Sequence, residues 1–472
     1  MIKQLSLLAF LFLFSQVKSQ DKWSLERCIE YAFKNNISIR QSEIARKVNE
    51  NNYLQSKMNF LPTLSADGSY NLNFGNSIDP TTYDFVQKTT NSNTFSVNGN
   101  LPLFTGLQQI NTVRKSGMDL AASKQDLENT KNNMVLSIAQ LYLQILQNMD
   151  LVQVAIDQEK MSEQQLRNTA ALIAAGAQPE GNRLQSDAQI ATDELKIVNA
   201  QNALDLSKLS LKLLLQLDPE TSFDVVVPVI NEKLLWDENV TSASIYNYAV
   251  SNQPSIQSAE YRVKSAARSL AITKGAFSPT LSLFGSLRAN YFSESKTFKT
   301  LETYTLAPIG FVPSSLEPVY TIVPDREVTT TPYGNQLKNT FSQVVGVSLS
   351  LPILSNWRRM TNFSNAKLDL INNNLNLEAA KNKLKEDIYR AYFNVISAKK
   401  TYEANLKNTE SLQKSYDFAK ERFGVGSLAQ IELNIIQNNL SFAQSELTRN
   451  KFDYLFKIKI LDFYQGKTLS LN

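Results

Sequence analysis

The sequence predicts an α+β membrane protein built from a duplicated helix–strand–strand–helix–helix unit. Three observations predict this fold: an internal repeat, four short segments in which apolar and polar residues alternate, and long helical segments around them. The chain has 472 residues, one Cys, no His and a formal net charge of +4. Without His there is no Ser-His-Asp or Cys-His catalytic pair, and so small a charge does not predict a nucleic-acid partner. We therefore expect a protein that is not an enzyme and that needs no metal or other cofactor.

Residues 1–19 have the pattern of a secretory signal peptide. Lys3 precedes an apolar run over 5–14, and the segment ends at the small residue Ser19. A run of about 10 residues is shorter than the roughly 20 that a membrane-spanning helix needs, so cleavage near Ser19 is favoured over a retained anchor. Cys28 directly follows a large charged residue, which argues against lipid attachment, and we expect it to be a buried residue of a helix.

The internal repeat appears as two shifts of the sequence against itself. A shift of 217 residues superposes 31–69 on 248–286, with identical residues at 15 of 39 positions. A second shift, of 250 residues, superposes Gly176 on Gly426. The second repeat therefore holds 33 additional residues (250 − 217) between its two strands. That interval includes 307–332, which contains five of the chain's 14 prolines and which we expect to form a long irregular loop.

Four segments alternate between apolar and polar residues and predict β-strands. They cover 64–74, 94–101, 281–291 and 345–351. Together they form two predicted hairpins, 64–101 and 281–351. The segments are close to the about 9 to 11 residues of a tilted transmembrane strand, with apolar side chains outward and polar side chains inward. A soluble antiparallel sheet with one solvated face is the alternative interpretation.

The segments around the hairpins predict long helices. Residues 111–175 contain no Pro and one Gly, and apolar residues recur there at heptad spacing. A turn at 176–179 then reverses the chain, so that the long helix pairs with the next one in an antiparallel hairpin. The second repeat turns in the same way at 424–428. Each repeat begins with a further helix, predicted over 25–60 in the first, and an ordinary helical bundle remains the alternative.

These elements divide the chain into a first repeat (20–218), a linker or equatorial region (219–240), a second repeat (241–466) and a C-terminal tail (467–472). Four strands cannot close a barrel, and an open strand edge in lipid leaves backbone N–H and C=O groups without hydrogen bonds. Other copies of the chain must therefore complete the sheet. Two copies provide eight strands and an interior filled by side chains, whereas three provide 12 strands and a wet lumen.

Trp357 follows the fourth predicted strand and directly precedes Arg358 and Arg359. An aromatic side chain beside basic ones is typical of the membrane–water interface, so we expect Trp357 to be a membrane-interface anchor. A residue that packs at the junction between the strand and the next helix is the alternative.

Several segments, in their order within a duplicated chain, resemble a known family. They are W-S-L-E-R-C-I-E-Y-A at 23–32, P-T-L at 62–64 and again at 279–281, and R-F-G-V-G at 422–426. With them the chain resembles the TolC-like outer-membrane efflux proteins over nearly its whole mature length. An exported soluble coiled-coil scaffold or adaptor protein is the alternative.

The resemblance implies a homotrimer with a 12-stranded transmembrane β-barrel and a long periplasmic α-helical tunnel, located in the bacterial outer membrane. It also implies passive conduction of drugs, metals or polypeptides, with a periplasmic adaptor and an inner-membrane transporter as partners. A gate of packed helices at the periplasmic end would open when a partner favours the splayed state.

The resemblance also implies roles for residues at the helical turns. Gly176 and Gly426, with Phe423, correspond to the positions at which such proteins meet their adaptor. Glu432 lies six residues after Gly426, where family members often carry an acidic residue that narrows the entrance. The first repeat has Asn182 at that position, so an acidic constriction here would carry at most half the charge. A solvated helix face is the alternative for Glu432.

Overall fold

The computed structural model describes residues 22–78, 83–87, 89–228, 236 and 240–467. The predicted signal peptide lies outside the described residues, as do parts of the predicted linker and tail. The chain divides into two compact units, one that is helical and one that carries the strands. The helical unit comprises Met1–Asn51, Gly117–Ala266 and Asp369–Asn472, and the strand unit comprises Asn52–Ser116 and Ala267–Leu368.

Both repeats follow the same order of elements. The first contains α1 (Leu25–Asn35), α2 (Ile37–Met58), β1 (Thr63–Asn73), β2 (Asn76–Ile78), β3 (Phe85–Gln87), β4 (Thr90–Phe104), α3 (Gln108–Ala174) and α4 (Gly181–Leu215). The second contains α5 (Ser242–Asn252), α6 (Pro254–Gly275), β5 (Thr280–Phe292), β6 (Lys296–Phe311), β7 (Pro318–Thr330), α7 (Tyr333–Asn339), β8 (Ser342–Ser350), α8 (Arg358–Gly424) and α9 (Gln430–Tyr464).

The duplication extends to the lengths of the helices. The long helices α3 and α8 each have 67 residues, and the returning helices α4 and α9 each have 35. The bounds of α1 and α2 recur 217 residues later in α5 and α6. The repeated sequence therefore encodes a repeated structure, which confirms the predicted duplicated unit.

The first helix of each repeat is broken, so the prediction of one helix over 25–60 is wrong. Asn36 separates α1 from α2, and Gln253 separates α5 from α6. The Asn36 Oδ1 atom accepts a hydrogen bond from the backbone N–H of Ser38 at 2.9 Å, which starts a new helix in place of the old one. Gln253 precedes Pro254, whose ring disfavours the helical conformation of the residue before it. Different residues thus produce the same break.

The central sheet contains β1, β4, β5 and β8 in that order, all antiparallel. Its register aligns the predicted apolar residues on one face: Ala66 pairs with Val97, and Val97 pairs with Leu287. On the other face the Asn98 side chain donates to Asp67 at 3.3 Å and accepts from Ser286 at 2.8 Å. One face of the sheet is therefore apolar and the other is hydrogen-bonded and polar, as the alternation predicts.

The expectation of an irregular loop at 307–332 is wrong. Strands β6 and β7 form a two-stranded antiparallel hairpin whose register shifts twice, between Thr300 and Tyr304 and between Pro308 and Gly310. Proline is excluded from the middle of a sheet because it has no N–H to donate. In a two-stranded hairpin both strands are edges, so prolines can turn their nitrogen away from the partner strand.

The largest apolar cluster of the helical unit lies where α1, α3 and α4 meet. It contains Cys28, Ile138, Tyr142, Leu146 and Leu211, all nearly inaccessible to solvent. The Tyr142 hydroxyl donates to the carbonyl oxygen of Val226 at 2.6 Å, which satisfies its polar group within the cluster. Cys28 is a buried helical residue, as predicted, and desolvation raises the pKa of its thiol to about 12.

This burial predicts that Cys28 is unreactive in the native protein. Thiolate is the reactive form, and at neutral pH the raised pKa leaves almost none of it. We expect maleimide labelling of the folded chain to be slower than that of the denatured chain by at least about a hundredfold, since burial also blocks access. Mass spectrometry after timed labelling measures both rates, and comparable rates would contradict the placement of Cys28 in this cluster.

Candidate functional site

The two helical turns have the same backbone geometry. Gly176 has a φ of 71°, and its N–H donates to the Ile173 carbonyl oxygen at 2.9 Å, while the Ala177 N–H donates to that of Leu172 at 2.8 Å. This pair of hydrogen bonds is a Schellman motif, which satisfies the last carbonyl groups of α3. The turn after Gly176 is exposed to solvent.

The second turn repeats this arrangement at Gly426. Its φ is 75°, its N–H donates to the Phe423 carbonyl oxygen at 3.0 Å, and the Ser427 N–H donates to that of Arg422 at 2.9 Å. A Cβ atom added to Gly426 would have nothing within 4 Å. Glycine is therefore required for the left-handed backbone and not for space.

Phe423 differs from the two glycines in its accessibility. Its side chain is 2% exposed and packs with Tyr416, Leu428 and Leu433 beneath the turn. The apolar side chain that the turn presents to solvent is Val425, which is 80% exposed. The structure thus brings Phe423 and Gly426 together but places Phe423 in the core of the turn. Sequence reasoning missed Val425, although two flanking glycines mark it.

Glu432 lies on the exposed surface in the first turn of α9. A carboxylate there interacts favourably with the N-terminal end of the helix dipole. Asn182, the equivalent residue of the first repeat, is partly buried and donates from its amide to the Gln178 side chain. The two residues therefore differ in accessibility as well as in charge.

The facing surfaces of α3 and α9 near the turns carry buried polar residues at heptad spacing, which we call the polar seam. Its members are Gln158, Ser162, Gln165 and Thr169 of α3, and Gln430, Asn434, Gln437 and Ser441 of α9. Thr169 donates to the Gln430 side-chain oxygen at 3.2 Å, and the Gln437 amide donates to Ser162 Oγ at 2.7 Å. Hydrogen bonds between side chains thus join the two helical hairpins here.

A second set of polar contacts joins α4 to α9. The side-chain amides of Gln189 and Asn438 each donate to the other, both at 3.2 Å. These residues are 249 apart, one less than the offset of 250 that relates the two turns. They therefore lie one residue away from equivalent positions of the two repeats.

A buried charge completes this set. Asp193 of α4 is 0% exposed and accepts hydrogen bonds from Ser162 at 2.6 Å and from the Lys196 ammonium group at 2.8 Å. Lys196 also donates to Asn438 at 3.1 Å, so one cation bridges the two hairpins. A buried carboxylate without such partners would be costly, and its bonds hold α3, α4 and α9 in one register.

The seam contrasts with the core of the second hairpin. There Phe423, Leu428, Leu433 and Leu440 form an apolar cluster between α8 and α9. Gln158, by contrast, has a buried amide with no hydrogen-bond partner among the described residues. The second hairpin is thus held by apolar packing, and its contact with α3 near the turns combines the hydrogen bonds of the polar seam with the partly buried Met161 and Leu172, which pack against this cluster. The apolar heptad spacing in the sequence predicts the helical hairpins but does not predict that polar residues of α3 and α9 face each other.

Trp357 lies between β8 and α8 and is 73% exposed. It and Asn356 both have positive φ, at 61° and 49°, and the equivalent residues Leu107 and Gly106 do too, at 64° and 63°. Two residues in the left-handed conformation therefore connect β4 to α3, and two connect β8 to α8. This conformation is strained for every residue except glycine.

Among the described residues, no helix has an apolar stretch long enough to cross a membrane. No group of three or more Cys, Asp or Glu side chains there is arranged to hold a metal ion.

A four-stranded antiparallel sheet with one apolar face, continued in sequence by long paired helices, defines the fold class of this chain. Solved structures share this fold at low sequence identity. The chain superposes on a structure of CusC with a TM-score of 0.74 at 15% identity, covering 94% of this chain and 92% of that one. It superposes on the Campylobacter jejuni CmeC outer membrane channel with a TM-score of 0.72 at 16% identity, covering 97% and 89%.

Sequence comparisons give the family. The model of the outer membrane efflux protein family matches residues 28–215 and 245–456. The outer membrane efflux protein BepC of Brucella suis biovar 1 (strain 1330) is 23% identical over 430 residues, which are 89% of this chain and 80% of that protein. The chain belongs to the outer membrane efflux protein family. It is an outer-membrane efflux channel with a periplasmic helical part, and the predicted resemblance is confirmed.

Proposed function

We propose that three copies of this chain form a 12-stranded barrel that continues into a periplasmic tunnel, and that substrates cross it passively. The observation that carries the proposal is the four-stranded sheet, whose outer strands β1 and β8 have no partner on one side among the described residues. In lipid each unpaired backbone group costs several kcal/mol, so β8 of one copy pairs with β1 of the next. Three copies leave room for a lumen lined by polar residues such as Asn98.

Native mass spectrometry in detergent tests this assembly. We expect trimers that need detergent to remain in solution and that dissociate on heating. A monomeric chain that is soluble without detergent would contradict the channel assembly and would favour the soluble scaffold.

We propose further that the exposed turns at Gly176 and Gly426 dock a periplasmic adaptor, which couples the channel to an inner-membrane transporter. The transporter supplies the energy, and the channel catalyses no reaction and needs no cofactor. The matching left-handed turns and the exposed Val425 support docking, while Phe423 supports the turn from below. The proposal also includes the domain limits predicted for the two repeats. It further includes Trp357 as a membrane-interface anchor, a role that the exposure of its side chain supports.

We propose that the polar seam and the Gln189–Asn438 contact form the gate. Parting the hairpins there exchanges protein hydrogen bonds for bonds to water, at a net cost on the order of 1 kcal/mol each. Exposing the partly buried Met161 and Leu172, which pack against the second hairpin, adds about 0.8 kcal/mol for every CH₂ group exposed to water. An adaptor bound at the turns can therefore shift the hairpins apart with a modest difference in affinity between the two states.

Glu432 gives a prediction for ion selectivity. In a trimer, three Glu432 carboxylates near the entrance would favour cations. We expect Glu432→Gln to lower the cation-over-anion preference by less than about fivefold, because exposed charges interact through water. Conductance ratios in planar bilayers measure this preference.

Glu421→Gln provides the control for this measurement, because Glu421 is an exposed acid on the other side of the same turn. If both variants shifted the preference equally, surface charge in general, and not a constriction at Glu432, would be responsible.

A further inference from the structure

The strand unit contains an open cavity of about 730 Å³ where the chain passes between strand and helix. Most of its lining side chains are apolar, with one cation at its edge. The residues that carry the argument are Leu107, Ala271, Lys274, Phe277, Met360 and Phe363. They lie just before α3, at or just after the end of α6, and in the first two turns of α8, all next to strand ends.

Two glycines bring these elements together. The backbones of Gly106 and Gly275 approach so closely that a Cβ atom on either one would collide with the carbonyl oxygen of the other. Leu107 and Phe277 both line the cavity next to this crossing, and the Phe277 ring meets Phe363 edge to face at a centroid distance of 6.3 Å. The close approach of the two glycine backbones thus brings the elements that line the cavity together.

We propose that this cavity binds an anionic phospholipid of the inner leaflet of the outer membrane, with an acyl chain on its aromatic wall and the phosphate beside Lys274. The location fits, because the helices of this family extend into the periplasm and the strand ends next to them therefore lie at the inner leaflet. The proposal depends on the outer-membrane location and not on the adaptor or the gate.

Charge favours an anionic headgroup. None of the ten described residues that line the cavity carries a carboxylate, and Lys274 has no ion pair with any described residue. Arg358 and Arg359 immediately precede the lining residue Met360 in the sequence, so two further cations lie in the first turn of α8. Cations near the end of a membrane-spanning segment attract anionic lipid phosphates.

The neighbouring segment provides a surface for the acyl chains. Ile353 and Leu354, just before Arg358, are 90% and 89% exposed, the largest values among the exposed apolar residues of the described chain. Side chains this exposed are unfavourable in water and favourable against hydrocarbon. Along the chain, apolar residues that suit the acyl chains therefore come first, and cations that suit the phosphate follow them.

Native mass spectrometry of the full-length, delipidated channel tests the proposal with phosphatidylglycerol and phosphatidylethanolamine as probes. We expect phosphatidylglycerol to bind more tightly than phosphatidylethanolamine, and Lys274→Gln to weaken its binding by about fivefold. Ala271→Phe should fill the cavity and remove binding of both lipids. Lys367→Gln removes an exposed cation of α8 outside the cavity and should leave binding unchanged.

Equal binding by all four proteins would overturn the proposal, as would an equal loss in Lys274→Gln and Lys367→Gln. A photo-crosslinking amino acid in place of Met360 identifies which molecule occupies the cavity. Capture of phospholipid supports the site, whereas capture of a second copy of the chain would show that the trimer fills the cavity. Measuring export by the same variants distinguishes a failure of lipid binding from a failure of the proposed adaptor docking. A defect in adaptor docking lowers export but leaves lipid binding unchanged.

Discussion

Joining α4 to α9 by a cross-link between Gln189→Cys and Asn438→Cys should stop export while leaving trimers intact. The wild-type side chains contact each other reciprocally, so a short thiol-specific cross-linker spans the two positions. The link prevents the two hairpins from separating and removes the open state from the equilibrium. We expect export to fall by at least about tenfold, and a cleavable linker to restore it on reduction.

The natural cysteine content of the chain suits this experiment, and a second pair of positions provides its control. Cys28 is the only natural cysteine, and its burial keeps it from competing for the reagent. Glu260→Cys and Lys381→Cys provide the matched pair, because the Lys381 ammonium group lies 3.8 Å from a Glu260 carboxylate oxygen within the second repeat and both side chains are partly exposed. A link there joins helices that move together, so export should persist.

The uncross-linked Gln189→Cys/Asn438→Cys protein gives a second readout. It lacks the reciprocal amide bonds, which contribute about 0.5–1.5 kcal/mol each, and should therefore open more readily. Before the cross-linker is added, we expect more entry, through the channel, of a large antibiotic that the outer membrane normally keeps out of the periplasm. If the linked protein exported normally, the hairpins would not separate at this contact and the proposed gate would be elsewhere.

The strands and the duplication could be predicted because their signals are local. Alternation over 64–74 assigns each side chain to a face whatever the neighbouring strand is, and a repeat is visible from one sequence. The prediction of an irregular loop at 307–332 is wrong because it treats proline as excluding every strand. That rule holds for central strands, and no local signal shows that β6 and β7 pair only with each other.

The polar seam could not be predicted because it depends on which helix faces which. Ser162 and Gln437 lie 275 residues apart, and polar residues at heptad spacing are also common on solvated faces. Phe423 illustrates the same limit. Its neighbours in sequence are exposed, and only packing against Tyr416 and Leu433 places its ring inside. Contacts between distant segments thus decided both outcomes.

Replacing Gly426 with Val should impair export at the level of adaptor docking or opening. Val would occupy a backbone with a φ of 75°, where a β-branched residue is strained by roughly 1–2 kcal/mol or more. The Schellman hydrogen bonds of Gly426 and Ser427 would then be lost or distorted. We expect export to fall by about tenfold, because that strain is equivalent to a factor of ten or so in the population of the docking conformation. Trimers should be unaffected, since the turn is exposed and far in sequence from the strands.

Two further variants distinguish the effect of the left-handed backbone conformation from the effect of adding a side chain to the turn. Gly424→Ala changes a residue of the same turn that has no positive φ and open space around it, so export should stay near the wild-type value. Gly426→Asn adds a side chain that tolerates the left-handed conformation and should restore most of the export lost in Gly426→Val. If Asn failed as completely as Val, the partner would need the bare backbone at this position. Unchanged export in Gly426→Val would remove the turn from the docking surface, because a β-branched residue is strained in this left-handed conformation.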